Sequence, residues 1–281
     1  MKLLSSVFLV SALAAQQVLA ELTFTVKATR NGKPVPASEI KLEPFQPSRN
    51  ARTAQNSRVP PPSGNGKEKR TNPSSYSSNW CGSVNHATAL NPIKKIHAYF
   101  QHPTCTKRTG VTTYPQAAAF WAGIDGDTYT SALLQSGTVC KIDNSTGIVR
   151  NEAWWQWYPS AAYTITSLPV AIDDWFEVTV EATTTTSGVI TLENITQNLV
   201  YTITITGGTT LGRVDADWVV ERPTVGGSPA GFAHFTDVWF QDAYATRTSG
   251  SLGILGANQY QILNSCSSAE YDDSNEVSWV P

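Results

Sequence analysis

Residues 176–183 read FEVTVEAT and residues 200–208 read VYTITITGG. In the first, Phe176, Val178 and Val180 alternate with Glu177, Thr179 and Glu181. In the second, Tyr201, Ile203 and Ile205 alternate with Thr202, Thr204 and Thr206. A period of two sends each apolar set to one face of an extended chain and each polar set to the other. Further strand-like runs fall at 97–101, 118–123, 132–135, 189–194, 217–221, 233–241 and 277–280. Ser187-Gly188 and the Gly-Gly pairs at 207–208 and 226–227 punctuate them. No segment shows convincing helical amphipathicity, and no internal repeat is visible. Many short strands with turn signals predict an all-β chain, an antiparallel β-sandwich or jelly roll.

The strands occupy only part of the 281 residues. Residues 1–20 have Lys2, an apolar run over 3–15 and a small-residue end at Val18-Leu19-Ala20. That is the pattern of a cleaved secretory signal, too short to span a bilayer. Secretion to the extracellular space is expected, with no membrane and no nucleic-acid partner. Residues 21–70 are Pro-rich and end in the dibasic pair Lys69-Arg70. They carry ten Lys+Arg against four Asp+Glu, a net of +6. The remainder, 71–281, carries nine Lys+Arg against 18 Asp+Glu, a net of −9. A basic segment tethered to an acidic body favours docking by complementary fields. Residues 21–70 therefore read as a prosegment, removed after Arg70 and acting until then as an intramolecular inhibitor. The body is long enough for one domain with a substantial core, and a monomer is expected.

Cys81, Cys105, Cys140 and Cys266 all lie in the body, and a secreted chain with four Cys suggests two disulfides in one of three pairings. Cys81 and Cys105 are equidistant from Ile93, next to a turn signal at Asn91-Pro92. A hairpin there pairs Cys81 with Cys105 and leaves Cys140 for Cys266. Asn144 and Asn194 begin glycosylation acceptor patterns. His86, His97 and His102 have no metal-ligand spacing and read as surface or loop residues. No metal and no cofactor are expected.

Neither HExxH nor G-x-S-x-G occurs. Polar residues instead sit among aromatics in the blocks FWAGIDGD (120–127), ALLQSG (132–137), AWWQWYP (153–159) and ADWVVERP (216–223). In the last, Trp218 and Val220 share one strand face while Asp217, Val219 and Glu221 share the other. With SSNWCG (77–82) ahead of them, these five blocks resemble the glutamic peptidases, the eqolisin family, in order and spacing. FAHFTDVWFQDA (232–243) looks like that family's penultimate region. The resemblance covers the body from about Tyr76.

The resemblance implies a secreted endopeptidase working in acid on protein or peptide chains. It implies two large curved antiparallel sheets of concanavalin A-like type, with the site on the concave face. It implies a catalytic dyad of Gln135 and Glu221, with Trp121, Asp125, Trp154 and Tyr158 in or beside the cleft. Asp125 would orient Gln135 or its loop. Two departures stand out: Gln156 replaces a Glu of close relatives, and Thr138-Val139 follows where relatives carry an Asp. An altered pH profile or subsite preference is expected from them. Few basic groups and an acidic body predict better stability in mild acid than at neutral pH. The reading from another class is a carbohydrate-binding or lectin-like sandwich, which needs no Gln–Glu dyad. A sandwich glycosidase needs a second carboxylate beside Glu221.

Overall fold

The computed structural model describes residues 22–45, 54–58, 72–143, 147–270 and 276–281. The signal segment, the dibasic pair and Asn144 lie outside these residues.

Among the described residues almost every element is a strand, and the helical piece is a single 3-10 turn at Ala37–Glu39. The principal strands are β1 (Thr23–Arg30), β2 (Leu42–Phe45), β3 (Ser74–Ser77), β4 (Trp80–His86), β5 (Ile93–Gln101) and β6 (Gln116–Ile124). They continue with β7 (Leu133–Ile142), β8 (Val149–Tyr158), β9 (Ala162–Ile165), β10 (Trp175–Ala182), β11 (Ser187–Asn194) and β12 (Leu199–Thr206). The last are β13 (Asp215–Glu221), β14 (Val238–Arg247), β15 (Asn258–Gln261), β16 (Ser267–Glu270) and β17 (Val277–Val280).

Two large sheets hold them. The first runs β1-β12-β11-β10-β5-β14-β17-β16, and the second runs β2-β9-β8-β7-β6-β13-β4-β15-β3. The expected alternation positions the core between them. Phe176, Val178 and Val180 of β10 and Tyr201, Ile203 and Ile205 of β12 are buried there. They meet Phe120, Leu134, Trp155, Trp157, Trp218 and Val220 from the second sheet. The second sheet also buries its other face. Trp80, Trp121, Leu133, Val139, Trp154, Val219 and Tyr260 form a second apolar cluster there. Both faces of β13 are therefore buried along its whole length.

Three expectations are corrected. The disulfides join Cys81 to Cys266 and Cys105 to Cys140, with Cα separations of 6.0 and 6.4 Å. The hairpin reading fails because β4 and β5 do not pair. β4 lies between β13 and β15 in the second sheet, and β5 lies between β10 and β14 in the first. Cys81 instead meets the loop after β15, while Cys105 crosses to β7. Asn194 is wholly buried. Its Nδ2 donates to Asp174 Oδ2 at 2.7 Å and to the Pro169 carbonyl at 3.1 Å, and its Oδ1 accepts from the Gln197 amide. A glycan on that nitrogen does not fit the folded chain. His97 and His102 are buried rather than on the surface, and His102 Nδ1 meets Thr138 Oγ1 at 2.8 Å.

Candidate active site

The outward face of the second sheet can be read in three rows running across the strands. The first is Gln156–Gln135–Gly123–Asp217–Val84. The second is Trp154–Gly137–Trp121–Val219–Gly82, and the third is Glu152–Val139–Ala119–Glu221–Trp80. Gln135 and Glu221 thus stand on strands flanking β6, in rows one and three of the same face. On a flat sheet their Cα atoms would be roughly 16 Å apart, from two strand spacings and four residues of rise. The Trp121 row lies between them on that face.

Each member of the pair has its own partner. Trp121 Nε1 donates to Glu221 Oε2 at 3.0 Å. Gln135 Nε2 donates to Gln156 Oε1 at 3.0 Å, and Gln156 Nε2 donates to the Ser160 carbonyl at 2.9 Å. Gln135 Oε1 is buried and accepts no hydrogen bond from the described residues. The Trp121 indole spans the middle row between the two. A Cβ on Gly123 would lie 2.9 Å from Trp121 Cζ3 and 3.1 Å from Gln135 Cβ. The ring therefore uses the space that Gly123 leaves empty. Gly137, on the other side of Trp121, brings β7 so close to β6 that a Cβ there would sit 2.0 Å from the Phe120 carbonyl oxygen. Trp80 packs edge-on against Trp121 with ring centroids 5.0 Å apart. Trp154 and Tyr158 belong to or pack against the same cluster. Glu221 is 1% exposed and Gln135 0%.

Of the two expected settings for Asp125, on Gln135 or on its loop, the carboxylate takes a loop one. It sits in the β6–β7 turn with a φ of 71°. Its carboxylate accepts the amides of Arg213 and Val214 at 2.9 and 2.8 Å. Asp215 answers in the opposite direction, accepting the amides of Asp127, Thr128 and Tyr129. The two carboxylates stitch the turn after β6 to the start of β13. Asp125 thus secures the strand that carries Glu221, and its carboxylate is spent on that backbone rather than on Gln135. Burial pushes the Asp125 carboxyl up to about 6. Burial also raises Asp215, but bonds from His86, Thr128 and the Tyr129 amide outweigh it and hold it below the usual carboxylate range. His86, Asp127 and Asp215 form the one His-carboxylate group of metal-ligand size among the described residues. The Asp215 oxygens already accept three amides and the Thr128 hydroxyl. That donor set describes a hydrogen-bonded loop clasp.

The sequence marked Gln156 only as a departure from relatives, and gave Asp217 and Trp80 no role. Asp217 was within reach of the alternation rule, because it shares Glu221's face. It now proves to be buried in Gln135's row, with Gly123 between them.

A family model described as "Peptidase A4 family" matches residues 78–279. The chain belongs to that family. It is therefore a peptide hydrolase of the glutamic peptidase group. Aspergillopepsin-2 of Aspergillus niger is 33% identical over 205 residues, covering 66% of this chain and 71% of the relative. Scytalidopepsin B of Scytalidium lignicola is 30% identical over 156 residues, covering 52% of this chain and 58% of the relative. The fold is similar to scytalido-glutamic peptidase bound to a peptide-based transition state analog. That match has a TM-score of 0.61 and 26% identity, covering 72% of this chain and 98% of that one. These agreements support the eqolisin β-sandwich across the body.

Gln156 is where this family member departs from its expected pattern in a testable way. Its amide accepts from Gln135 and donates to Ser160 at every pH. A Glu there must be protonated to donate to the Ser160 carbonyl, so burial and that bond favour its neutral form. Gln156→Glu is expected to match the unaltered enzyme in strong acid. It should then lose activity earlier as pH rises, by about tenfold where the new carboxyl ionises, for a positioning cost of about 1.4 kcal/mol. A pH profile of kcat/KM for the two proteins checks this.

The same buried groups set the pH response of stability. Asp125 is raised to about 6, so between pH 4 and 6 the folded state holds a proton that the unfolded state has lost. Stability from this group falls as pH rises, by about 3 kcal/mol. Burial lowers His102 to about 4, so between pH 4 and 6.5 the unfolded state binds the extra proton. Stability from His102 rises with pH by a similar amount, about 3 kcal/mol. The two trends nearly cancel, so these two groups by themselves set no preference between mild acid and neutral pH. In His102→Asn the opposing trend is gone. That variant is expected to be about 3 kcal/mol more stable at pH 4 than at pH 6, as read by denaturant unfolding at both values.

Proposed function

We propose that this chain is the precursor of a secreted, acid-acting glutamic endopeptidase in which Glu221 and Gln135 cleave protein or peptide substrates without a metal or cofactor. The observation that carries the reading is the placement of Glu221 and Gln135 on one sheet face, bracketing Trp121, with Trp121 holding Glu221 Oε2. Ionised Glu221 takes a proton from a water poised between the two residues. The water oxygen adds to the scissile carbonyl carbon. Gln135 donates an amide hydrogen to the developing oxyanion, while its Oε1 orients the water. Glu221 then delivers the proton to the departing nitrogen, and the carbon–nitrogen bond breaks. An unperturbed Glu titrates near about 4.3, which suits this exchange to acid. The indole donor is neutral, so it supports the carboxylate without adding charge.

Trp154 and Tyr158 line the same face and serve as apolar walls for substrate side chains. Asp125 is a positioning residue for β13. An aspartic-type dyad shares one proton between two carboxylates. Here the partner of the carboxylate is an amide, so inhibition by pepstatin is not expected. The lectin-like reading finds no support in an amide–carboxylate pair set around a buried indole.

The leader 1–20 directs export, and the prosegment 21–70 is cut after Arg70. Most of the prosegment's charge falls in residues 46–70, with six basic groups against one acidic. That charge attracts the prosegment to the −9 body at neutral pH and weakens as carboxylates protonate, while Ala54–Arg58 within the stretch also pairs with β3. Digestion of an acid-denatured protein at pH 3–4 with pepstatin present tests the function. Fragments that appear with the processed chain and vanish with Glu221→Gln support it. No cleavage by a folded, processed chain across pH 2–6 overturns it.

A further inference from the structure

The first part of the prosegment is built into both sheets. β1 adds antiparallel to β12 through eight consecutive residue pairs, from Thr23 opposite Thr206 to Arg30 opposite Leu199. The chain then turns and crosses to the other sheet, where β2 adds antiparallel to β9 from Leu42 opposite Ile165 to Phe45 opposite Ala162. One segment thus covers an edge strand of each sheet at the same side of the sandwich. Its side chains follow the alternation of a native strand. Phe24, Val26 and Ala28 turn to the core, while Thr23, Thr25 and Lys27 are exposed. Phe24 lies 4.9 Å from Trp155 and 4.8 Å from Tyr163, between ring centroids. Val35, Ile40 and Leu42 pack on the same core. An ion pair among the segment's described residues, Arg30 with Glu39 at 4.0 Å, is internal and exposed, so it does not fasten the segment to the body.

These residues precede position 78, where the family match begins. They nevertheless complete its edges. Bare edge strands present rows of unpaired amides and carbonyls that invite pairing with another chain. We propose that residues 22–45 remain on the body as a second, non-covalent chain after the precursor is cut at Arg70, so the working enzyme has two chains. This rests on the reading that the chain is cut there. The contacts that hold the segment are backbone ladders, neutral hydrogen bonds such as Lys41 N to Ser167 Oγ at 2.8 Å, and apolar packing, none of which titrates between pH 4 and 7. Acid therefore weakens the charge attraction of the prosegment without releasing the clip. A retained clip also shapes the site face. Glu43 and Pro44 wall a cavity of ≈ 290 Å³ with Lys141, Glu152 and Thr164, at the end of the rows that hold Trp154 and Glu221.

The test uses the full precursor carrying Glu221→Gln, so that self-digestion is absent. It is cut after Arg70 with a dibasic-specific protease, then passed over a sizing column and weighed by native mass spectrometry at pH 4 and at pH 7. The expected result is a 1:1 complex of the N-terminal fragment and the body at both values. In Phe24→Ala the dissociation constant of the fragment should rise about tenfold, as expected for losing one partly buried aromatic contact. Backbone amides of 24–30 and 199–206 should be protected from hydrogen exchange in the cut complex. A fragment that separates from the body at either pH overturns the proposal. Failure of the protease to cut would count against processing at Arg70. Neither outcome bears on the Gln135 and Glu221 roles, because no activity is read.

Discussion

Glu221→Gln is expected to lower kcat by at least about a thousandfold while leaving the fold in place. The reasoning starts from shape. Gln differs from Glu by one amino group, and its carbonyl oxygen can still accept from Trp121 Nε1, now 3.0 Å from Oε2. The buried cluster of Trp80, Trp121, Trp154 and Val219 is therefore unchanged. What disappears is proton transfer. An amide neither takes a proton from water nor gives one to an amine in this pH range. General acid–base groups typically supply roughly 10² to 10⁴ in rate, and in the proposed mechanism Glu221 serves both steps. Circular dichroism and a thermal melt of the variant should overlay those of the unaltered chain. Retention of more than about a tenth of the activity in a folded Glu221→Gln protein would eliminate it as the base.

Gln135→Ala is the second large effect, and its signature differs. Losing an oxyanion donor costs about 10² to 10³ in kcat, with KM changed far less because the group acts on charge that develops only in the transition state. A structural penalty accompanies it. Gln156 Oε1 is left buried without the Nε2 donor that now reaches it at 3.0 Å, which costs about 1–3 kcal/mol. Glu221→Gln has no such cost. Measuring kcat, KM and the unfolding midpoint of both variants separates a group that moves protons from one that stabilises an oxyanion. A Gln135→Ala protein whose KM rises with kcat unchanged would show that Gln135 only binds substrate.

Much of this site could be read from alternation and from the five blocks. The odd positions of β13, Asp217, Val219 and Glu221, do share a face opposite Trp218 and Val220, because side chains in a strand alternate whatever surrounds them. The strands around 176–183 and 200–206 follow for the same reason. What alternation could not show is that both faces of β13 are buried. A wet face and a covered face look alike when the covering groups come from distant strands. Asp125 illustrates the limit. Its block marked it as special, but its partners are amides of 213–215, close to 90 residues away in sequence.

The cysteines and the N-terminal segment mark the same boundary. Four cysteines in the body determined that two disulfides were to be expected. Their pairing depended on which sheet each strand joins, and β4 and β5 join different ones. Composition alone set residues 21–70 apart as basic and Pro-rich, and suggested that charge holds them. The tertiary structure shows residues 22–45 held instead by strand pairing and by Phe24 packed against the core. The physical reason is common to all these cases. Strand periodicity and charge are properties of neighbouring residues, whereas edge pairing, disulfide partners and the gap between Gln135 and Glu221 depend on the order of strands across a sheet. That order is settled only when the whole core is packed.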